Sequence, residues 1–198
     1  MNCTWQAGRN APGDTQYFLY WQNSRDDDVM ECELYIKDEN GRHMGCRFKN
    51  VMIGNKKAYF VVNGSSEDSL IQFYDEYIEL YEVEKLMPPS NVTVNCDSTS
   101  NNCTIKWRRP QISHFNVDKC FKYEVKITSK VNLTVRTKLM EDFIFLPGDL
   151  KYEFKSYSVK IKYVLKIRAR GKKTCFVSRN WGEWSEPVEF GKMMKYSS

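Results

Sequence analysis

The stretch Trp181-Gly-Glu-Trp-Ser185 lies just before the last apolar segment, Pro187–Phe190, and decides how the C-terminal part of the chain is interpreted. Two tryptophans three residues apart cannot share a face of a β-strand, where side chains alternate with a period of two. They can share a face of a left-handed extended helix with three residues per turn. The stretch therefore predicts a short extended helix with a flat aromatic edge.

A segment that alternates apolar and basic residues comes before this stretch, at Tyr163–Arg170. Its period of two predicts a strand with one apolar face and one basic face. An antiparallel return would place the basic face against the rings of Trp181 and Trp184, where an exposed cation–π contact contributes roughly 0.5–1 kcal/mol. A chance string is the alternative, and the adjacent cations argue against it. The predicted structural motif consists of Lys166, Arg168, Arg170, Trp181, Gly182, Glu183, Trp184 and Ser185.

Composition limits the class of protein. A length of 198 residues suits one or two domains. The hydrophobic fraction of 41% and the aromatic fraction of 14% exclude a disordered chain. No apolar run reaches the ~18 residues of a membrane span, and the segment Met1–Trp5 has no apolar signal-peptide core.

Seven cysteines could indicate either disulfides or a metal site. The absence of a CxxC spacing and the presence of only two histidines favour disulfides. We predict the pairs Cys32–Cys46, across a hairpin, Cys96–Cys103, as a local loop, and Cys120–Cys175. Cys3 is expected to be unpaired, and its partner and a further strand are expected to lie before Met1, so that the chain is a fragment.

Glycosylation sequons agree with disulfides, because both belong to the secretory route. The predicted acceptors are Asn2, Asn63, Asn91, Asn102 and Asn132. We therefore expect an extracellular protein, either the ectodomain of a cell-surface receptor or a secreted soluble form.

Turn residues divide the chain into short strands. Met87-Pro88-Pro89 predicts a joint between a first domain, residues 1–87, and a second domain, residues 88–191, followed by a tail, residues 192–198, since proline fixes φ and lacks an N–H. Strands are predicted near residues 1–5, 15–21, 31–36, 43–51, 58–63, 70–80, 92–96, 103–107, 121–127, 131–136, 143–146, 163–170 and 187–190. Residues 151–162 have no clear pattern. Since no helical period persists, the predicted fold is all-β, with two tandem β-sandwiches.

Several motifs resemble those of class I cytokine receptors. The resemblance rests on Trp181–Ser185 before a final strand, on Cys3-Thr-Trp5, on the Cys32–Cys46 hairpin and on Pro88-Pro89. Ala11–Tyr20, Val62–Ser66 and Pro88–Thr93 resemble the alpha subunits for granulocyte–macrophage colony-stimulating factor, interleukin-3, interleukin-5 and interleukin-13. Ile71–Phe73 and Glu189–Gly191 are most similar to the granulocyte–macrophage colony-stimulating factor receptor alpha chain, which is expected to be the closest member. Cys120–Ile127 is more similar to the interleukin-5 receptor alpha chain.

The resemblance implies two fibronectin type III-like domains, the first without its opening strand. It also implies that the tryptophan motif is structural. The family motif has serine where this chain has Gly182.

The resemblance further implies that a four-helix-bundle cytokine binds at the elbow between the domains and that a signalling beta subunit is then recruited. Four loops would supply the contacts: 23–30, 52–57, 108–119 and 171–180. The predicted ligand-binding residues are Asp26, Asp27, Asp28, Lys56, Arg108, Arg109, His114, Lys172, Lys173 and Arg179. The alternative for each is a solvated loop charge.

Charge is divided unevenly along the chain. Residues 1–87 contain 9 Lys+Arg and 15 Asp+Glu, whereas residues 88–198 contain 21 and 10. A basic domain beside an acidic loop can steer a cytokine of mixed surface charge, or it can bind heparan sulfate. Nucleic acid is not expected as a partner of a secreted glycoprotein.

Three function classes remain to be weighed. A cytokine-binding module is favoured, and a soluble decoy binder or a glycosaminoglycan-binding adhesion module is the alternative. Cytokine affinity that survives high salt would distinguish the first from a charge-driven adhesion module. An enzyme is not expected, because the chain has no GxSxG, no HExxH and no glycine-rich phosphate loop. No cofactor or metal is expected.

Overall fold

The computed structural model describes residues 1–49, 51–112, 114, 118–130, 135–140, 150–155 and 157–191. The chain divides into two compact units, Met1–Tyr81 and Glu82–Ser198. Within the described residues, no helix is both long enough and apolar enough to span a bilayer. Outside the described residues lie the predicted strand at 143–146, the tail at 192–198 and the first four residues, 131–134, of the predicted strand 131–136.

The first unit contains two antiparallel sheets. One has the order β1-β5-β4 and the other β3-β2-β6-β7. The strands are β1 Asn2–Thr4, β2 Gln16–Gln22, β3 Met30–Glu31, β4 Tyr35–Lys37, β5 His43–Arg47, β6 Lys57–Ser65 and β7 Tyr74–Glu79. A single helical turn, α1 Leu80–Val83, follows β7.

Alternating side chains of β2 and β6 build the core of the first unit. Leu19, Ala58 and Phe60 are buried, and the ring of Phe60 stacks on that of Trp21 with centroids 6.3 Å apart. Leu80 is also buried, so the end of the predicted strand 70–80 is helical and packs inward.

The second unit contains a three-stranded sheet, β12-β9-β8, and a four-stranded sheet, β11-β10-β13-β14. Its strands are β8 Ser90–Asp97, β9 Asn102–Arg108, β10 Phe121–Ser129, β11 Val135–Met140, β12 Leu150–Phe154, β13 Tyr163–Gly171 and β14 Val188–Phe190. The unassigned segment 151–162 therefore begins with most of β12.

A strict alternation of buried residues on β9, β10 and β13 forms the second core. Trp107, Phe121 and Tyr123 are fully buried at its centre. Burial raises the pKa of the Tyr123 hydroxyl. Because β10 pairs with β13 over nine residues, from Phe121↔Gly171 to Ser129↔Tyr163, the outward side chains of the two strands also lie opposite one another. Taken together, the two units have the all-β, two-domain architecture that the strand pattern predicts.

Three disulfides join Cys32 to Cys46, Cys96 to Cys103 and Cys120 to Cys175, and Cys3 is a half-buried free thiol. These are the predicted pairs, but the setting of the first differs from a hairpin. Cys32 follows β3 in one sheet, whereas Cys46 lies on β5 in the other. The bond therefore links the two sheets, since the chain between Glu31 and Tyr35 changes sheet before β4 pairs with β5.

Candidate functional site

The tryptophan motif and β13 form a stack of alternating rings and guanidinium groups. The guanidinium carbon of Arg168 lies 4.7 Å from the ring centroid of Trp181 and 4.4 Å from that of Trp184. Arg170 lies 4.7 Å from the same Trp181 ring. Lys166 was predicted as a third cation of this stack. Among the described residues the cation–π contacts are those of the two arginines, and Lys166 is exposed one row further along.

Backbone hydrogen bonds hold the motif against β13. The Ser185 N–H donates to the Ile167 carbonyl at 2.7 Å, and the Gly182 N–H donates to the Ala169 carbonyl at 2.8 Å. The buried Ser185 hydroxyl accepts from the Ile167 N–H at 3.0 Å. The spacing of three residues between these bonds is what places both tryptophans on one edge.

Gly182 stands where no other side chain would fit without a shift. A Cβ atom there would lie 2.7 Å from the Leu86 carbonyl oxygen and 2.8 Å from the Leu86 Cβ. Leu86 is buried, and its carbonyl accepts from the Glu183 N–H at 3.2 Å. The glycine therefore allows the chain at Leu86 to pack directly on the motif.

The whole segment Glu82–Leu86 is held by the loop that precedes the motif. The Glu82 carbonyl accepts from the Ser178 hydroxyl at 2.9 Å and from the Asn180 amide at 3.1 Å. The Glu82 carboxylate pairs with Arg179 at 2.6 Å. We call this arrangement the clasp; it consists of Glu82–Leu86, His114 and Phe176–Glu183.

His114 closes the clasp from the other side. Its Nε2 lies 2.7 Å from the Phe176 carbonyl, and its Nδ1 lies 3.6 Å from the Glu84 carboxylate. The side chains of His114 and Glu84 are 8% and 17% exposed. Burial raises the pKa of the Glu84 carboxyl, and the charge of His114 lowers it by a smaller amount. His114 thus makes structural contacts inside the second unit.

In the first unit, the two predicted loops come together. Asp26, Asp27 and Asp28 are exposed on the turn between β2 and β3, and Lys56 lies 3.8 Å from the Asp26 carboxylate. The Lys56 ammonium also donates to the Ser24 hydroxyl at 3.3 Å. A surface cavity of ≈460 Å³ is lined by Ser24, Arg25, Asp26, Lys56, Lys57 and Tyr77.

In the second unit, the other two predicted loops are joined at Cys120–Cys175 and by the Lys172 N–H, which donates to the Cys120 carbonyl at 2.8 Å. Arg109 pairs with Asp118 at 2.6 Å, and Arg179 is held in the clasp. Arg108 and Lys173 are exposed, while Lys172 is half-buried.

Sequence reasoning missed two features of these loops. Phe176 is 43% exposed beside the basic residues, and Glu82 and Glu84 anchor the clasp. The aromatic residue directly after Cys175 was the available signal for the first. Nothing local in the sequence indicates the second, because its partners lie far along the chain.

The predicted glycosylation sites differ in exposure. Asn2, Asn63 and Asn91 are exposed, and Asn132 lies outside the described residues. Asn102 is half-buried, and its amide donates to the Glu153 carboxylate at 2.8 Å. Within the described part of the chain, no group of three or more His, Cys, Asp or Glu residues is placed to hold a metal ion.

Comparison with known proteins places the chain among receptors. The family model described as "Interleukin-6 receptor alpha chain, binding" matches residues 1–83. The interleukin-5 receptor subunit alpha of Homo sapiens is 35% identical over 96% of this chain and 43% of its own length. The granulocyte-macrophage colony-stimulating factor receptor subunit alpha of Mus musculus is 28% identical over 96% of this chain and 46% of its own length. Of these two relatives, the interleukin-5 receptor subunit is thus the more similar, whereas the motifs predicted the granulocyte–macrophage colony-stimulating factor receptor subunit.

The fold has a match among solved structures. A chain described as "Cytokine receptor complex - Crystal form 1A" has a TM-score of 0.63 and 14% identity, over 98% of this chain and 92% of that chain. This likeness concerns the fold and agrees with tandem fibronectin type III-like domains. The chain spans less than half the length of the curated relatives it matches, at 43% and 46% for the two described above.

Proposed function

This chain belongs to the class I cytokine receptor alpha-subunit family, and on that premise we propose that it is an extracellular module that binds a four-helix-bundle cytokine. The observation that carries the proposal is the 35% identity to an interleukin-5 receptor alpha subunit, which runs over 96% of this chain. The relatives are named as receptors, and the proposed role is binding without catalysis.

The second-unit loops offer surface chemistry that suits a protein ligand. Lys173 and Phe176 are exposed on a loop fixed by Cys120–Cys175 and by the clasp. Aromatic residues on a rigid support are typical of binding hot spots, since little conformational entropy is lost on binding. We propose that Phe176 contributes affinity and that Lys172 and Lys173 contribute to the association rate.

Cytokine binding is tested with a panel of interleukin-5, granulocyte–macrophage colony-stimulating factor and interleukin-13, measured by surface plasmon resonance. Phe176→Ala should weaken binding of the cognate cytokine about tenfold through faster dissociation. Val159→Ala, which shortens another exposed apolar side chain of the same unit, is the control. If none of the three cytokines binds, the proposal that this chain binds one of them is wrong.

Charge reversal tests the same loop kinetically. The double variant Lys172→Glu/Lys173→Glu should slow association and reduce its salt dependence, with a smaller change in dissociation, because charges at the rim of an interface act mainly on the encounter. Lys155→Glu is a matched exposed control in the second unit. An unchanged association rate at low salt would exclude this loop from the encounter surface.

We further propose two partners, one supported by the family resemblance and the other by the net positive charge of residues 88–198. A signalling beta subunit would join the cytokine-bound chain, and co-precipitation that depends on cytokine would test this. Heparan sulfate is the second, and it is favoured by the excess of 21 Lys+Arg over 10 Asp+Glu in residues 88–198. Binding to heparin without any cytokine binding would favour an adhesion module.

A further inference from the structure

The outward face of strands β10 and β13, here called the basic face, carries many more cations than carboxylates. Alternate residues of both strands are buried, so the residues between them point outward. The cations on this face are Lys122, Lys126, Lys130, Lys162, Lys166, Arg168 and Arg170. Two carboxylates, Glu124 and Glu189, accompany them.

The two carboxylates are both engaged. Glu124 accepts from Arg168 at 2.6 Å, in the row directly below the tryptophan rings. Glu189 of β14 contacts Lys130 and, at 2.5 Å, Lys162 at the far end of the face. These contacts hold the pKa of Glu189 down to about 2. Neither carboxylate therefore remains to neutralise the middle of the face.

Lys126 and Lys166 occupy that middle position, directly opposite each other in the strand register. Like charges at directly opposed positions of a sheet are destabilising. Among the described residues, no carboxylate oxygen lies within 4.0 Å of either ammonium group. The row beyond them, Thr128 and Val164, is uncharged. The pair has no evident part in holding the fold together.

The other sheet of the same unit provides an informative comparison. Lys106 and Lys151 are also directly opposed, on β9 and β12. There Lys151 pairs with Glu153 at 2.6 Å, and the pKa of Glu153 is lowered mainly by that contact. An opposed lysine pair in this unit is thus compensated on one sheet and uncompensated on the other.

Deepening the second of the partners proposed above, we propose that the basic face binds a sulfated polysaccharide, with Lys126 and Lys166 at the centre of the site. Successive outward rows of a strand pair are about 7 Å apart. Cations therefore occur in four of five successive rows, from Lys122–Arg170 to Lys130–Lys162, and they form a track along the strands. Such a track matches a linear chain with repeated anionic groups better than it matches a compact anion.

Two observations favour a polysaccharide over a nucleic acid. The three disulfides indicate an oxidising, extracellular setting, where sulfated polysaccharides are the abundant linear polyanions. Proteins that bind single strands use free aromatic faces on which bases stack. Here Arg168 and Arg170 already lie over the rings of Trp181 and Trp184.

The experiment measures heparin affinity of the whole chain by titration calorimetry over a series of salt concentrations. Lys126→Gln/Lys166→Gln should weaken heparin binding at least about fivefold. It should also reduce the slope of log K against log salt by about two, one for each cation lost. The matched control Lys106→Gln/Lys151→Gln removes the same charge from the other sheet and should change heparin affinity by less than about twofold. Cooperative thermal unfolding, with a melting temperature for Lys126→Gln/Lys166→Gln no lower than that of the unaltered chain, would show that the variants are folded.

Three results would overturn the proposal. They are equal heparin affinity for Lys126→Gln/Lys166→Gln and the unaltered chain, equal losses for the two double variants, and equal binding of fully desulfated heparin. Tighter binding of a single-stranded DNA of the same charge would overturn the choice of ligand class. Cytokine affinity is measured in parallel, and it should be the same for both double variants, so failure of the cytokine proposal would be seen separately.

Discussion

At the scale of single residues, Gly182 shows how one missing side chain sets a contact. The motif of the resembled family has serine at this position, whereas here the Leu86 carbonyl lies 2.7 Å from where a Cβ would be. Restoring the family residue by Gly182→Ser should therefore lower the free energy of unfolding of the second unit by about 1–3 kcal/mol, as overpacking does. Glu186→Ser, an exposed neighbour, is the control. A melting temperature of Gly182→Ser equal to or higher than that of the unaltered chain would show that Leu86 moves away without loss of stability.

Asn102 gives a second residue-scale prediction. Its amide nitrogen, to which a glycan would attach, donates to Glu153, and Cys103 in the same sequon is fully buried in a disulfide. We expect Asn102 to lack a glycan in the secreted protein, while the exposed Asn63 and Asn91 carry one. Glycopeptide mass spectrometry measures occupancy at each asparagine. High occupancy at Asn102 would mean that the Glu153 contact does not form.

At the scale of elements, the clasp makes the stability of the second unit depend on pH. Burial raises the pKa of Glu84 above its ordinary value of 4.5, so the folded state holds this proton more tightly than the unfolded chain does. The contribution of protonated Glu84 to the free energy of unfolding is fully present below the pKa of the unfolded chain, and it is lost as pH rises through the pKa of the folded state. Above that range the buried, charged carboxylate destabilises the folded state, and the ion pair with His114 offsets this destabilisation only in part.

Glu84→Gln removes this titration. The melting temperature of the variant, relative to that of the unaltered chain, should rise as pH is increased from about 4 to about 7. Glu186→Gln, an exposed substitution in the same unit, should show no such trend. A melting-temperature difference that is constant with pH would mean that Glu84 is as well solvated in the folded state as in the unfolded chain.

At the scale of the whole molecule, each unit has its own buried core, so a substitution in one should leave the other folded. Trp184→Ala removes a ring from the stack and leaves Arg168 with only Trp181. Loss of a packed tryptophan typically costs ~3–5 kcal/mol, and partial exposure places the expected value at the lower end. We expect the second unit to unfold earlier and the secreted amount to fall, with cytokine affinity per folded molecule unchanged.

The test expresses the Trp184→Ala variant in a secreted form and measures separately the secreted yield and the concentration of protein that is able to bind cytokine. Lys155→Ala, an exposed truncation of the second unit, is the control for expression. Normal yield with lost affinity would assign Trp184 to the ligand contact and would contradict a structural role.

The sequence by itself determined the fold class, most of the strands and the local Cys96–Cys103 bond, because these depend on local signals. A period of two along Phe121–Ile127 and Tyr163–Arg170 indicates half-buried strands wherever their partners lie. Likewise, the spacing of Trp181 and Trp184 was enough to anticipate an aromatic edge facing arginines.

The tertiary structure alone decided which residues meet across long separations. Ser178 and Glu82 are 96 residues apart and join in the clasp, and the same packing buries His114, which the sequence assigned to a ligand contact. Register decided that Lys126 faces Lys166, whereas Arg168 faces Glu124. The physical reason is that alternation fixes only the face of a side chain. Its neighbour depends on how two distant strands are aligned, and the burial of both apolar faces together determines that alignment.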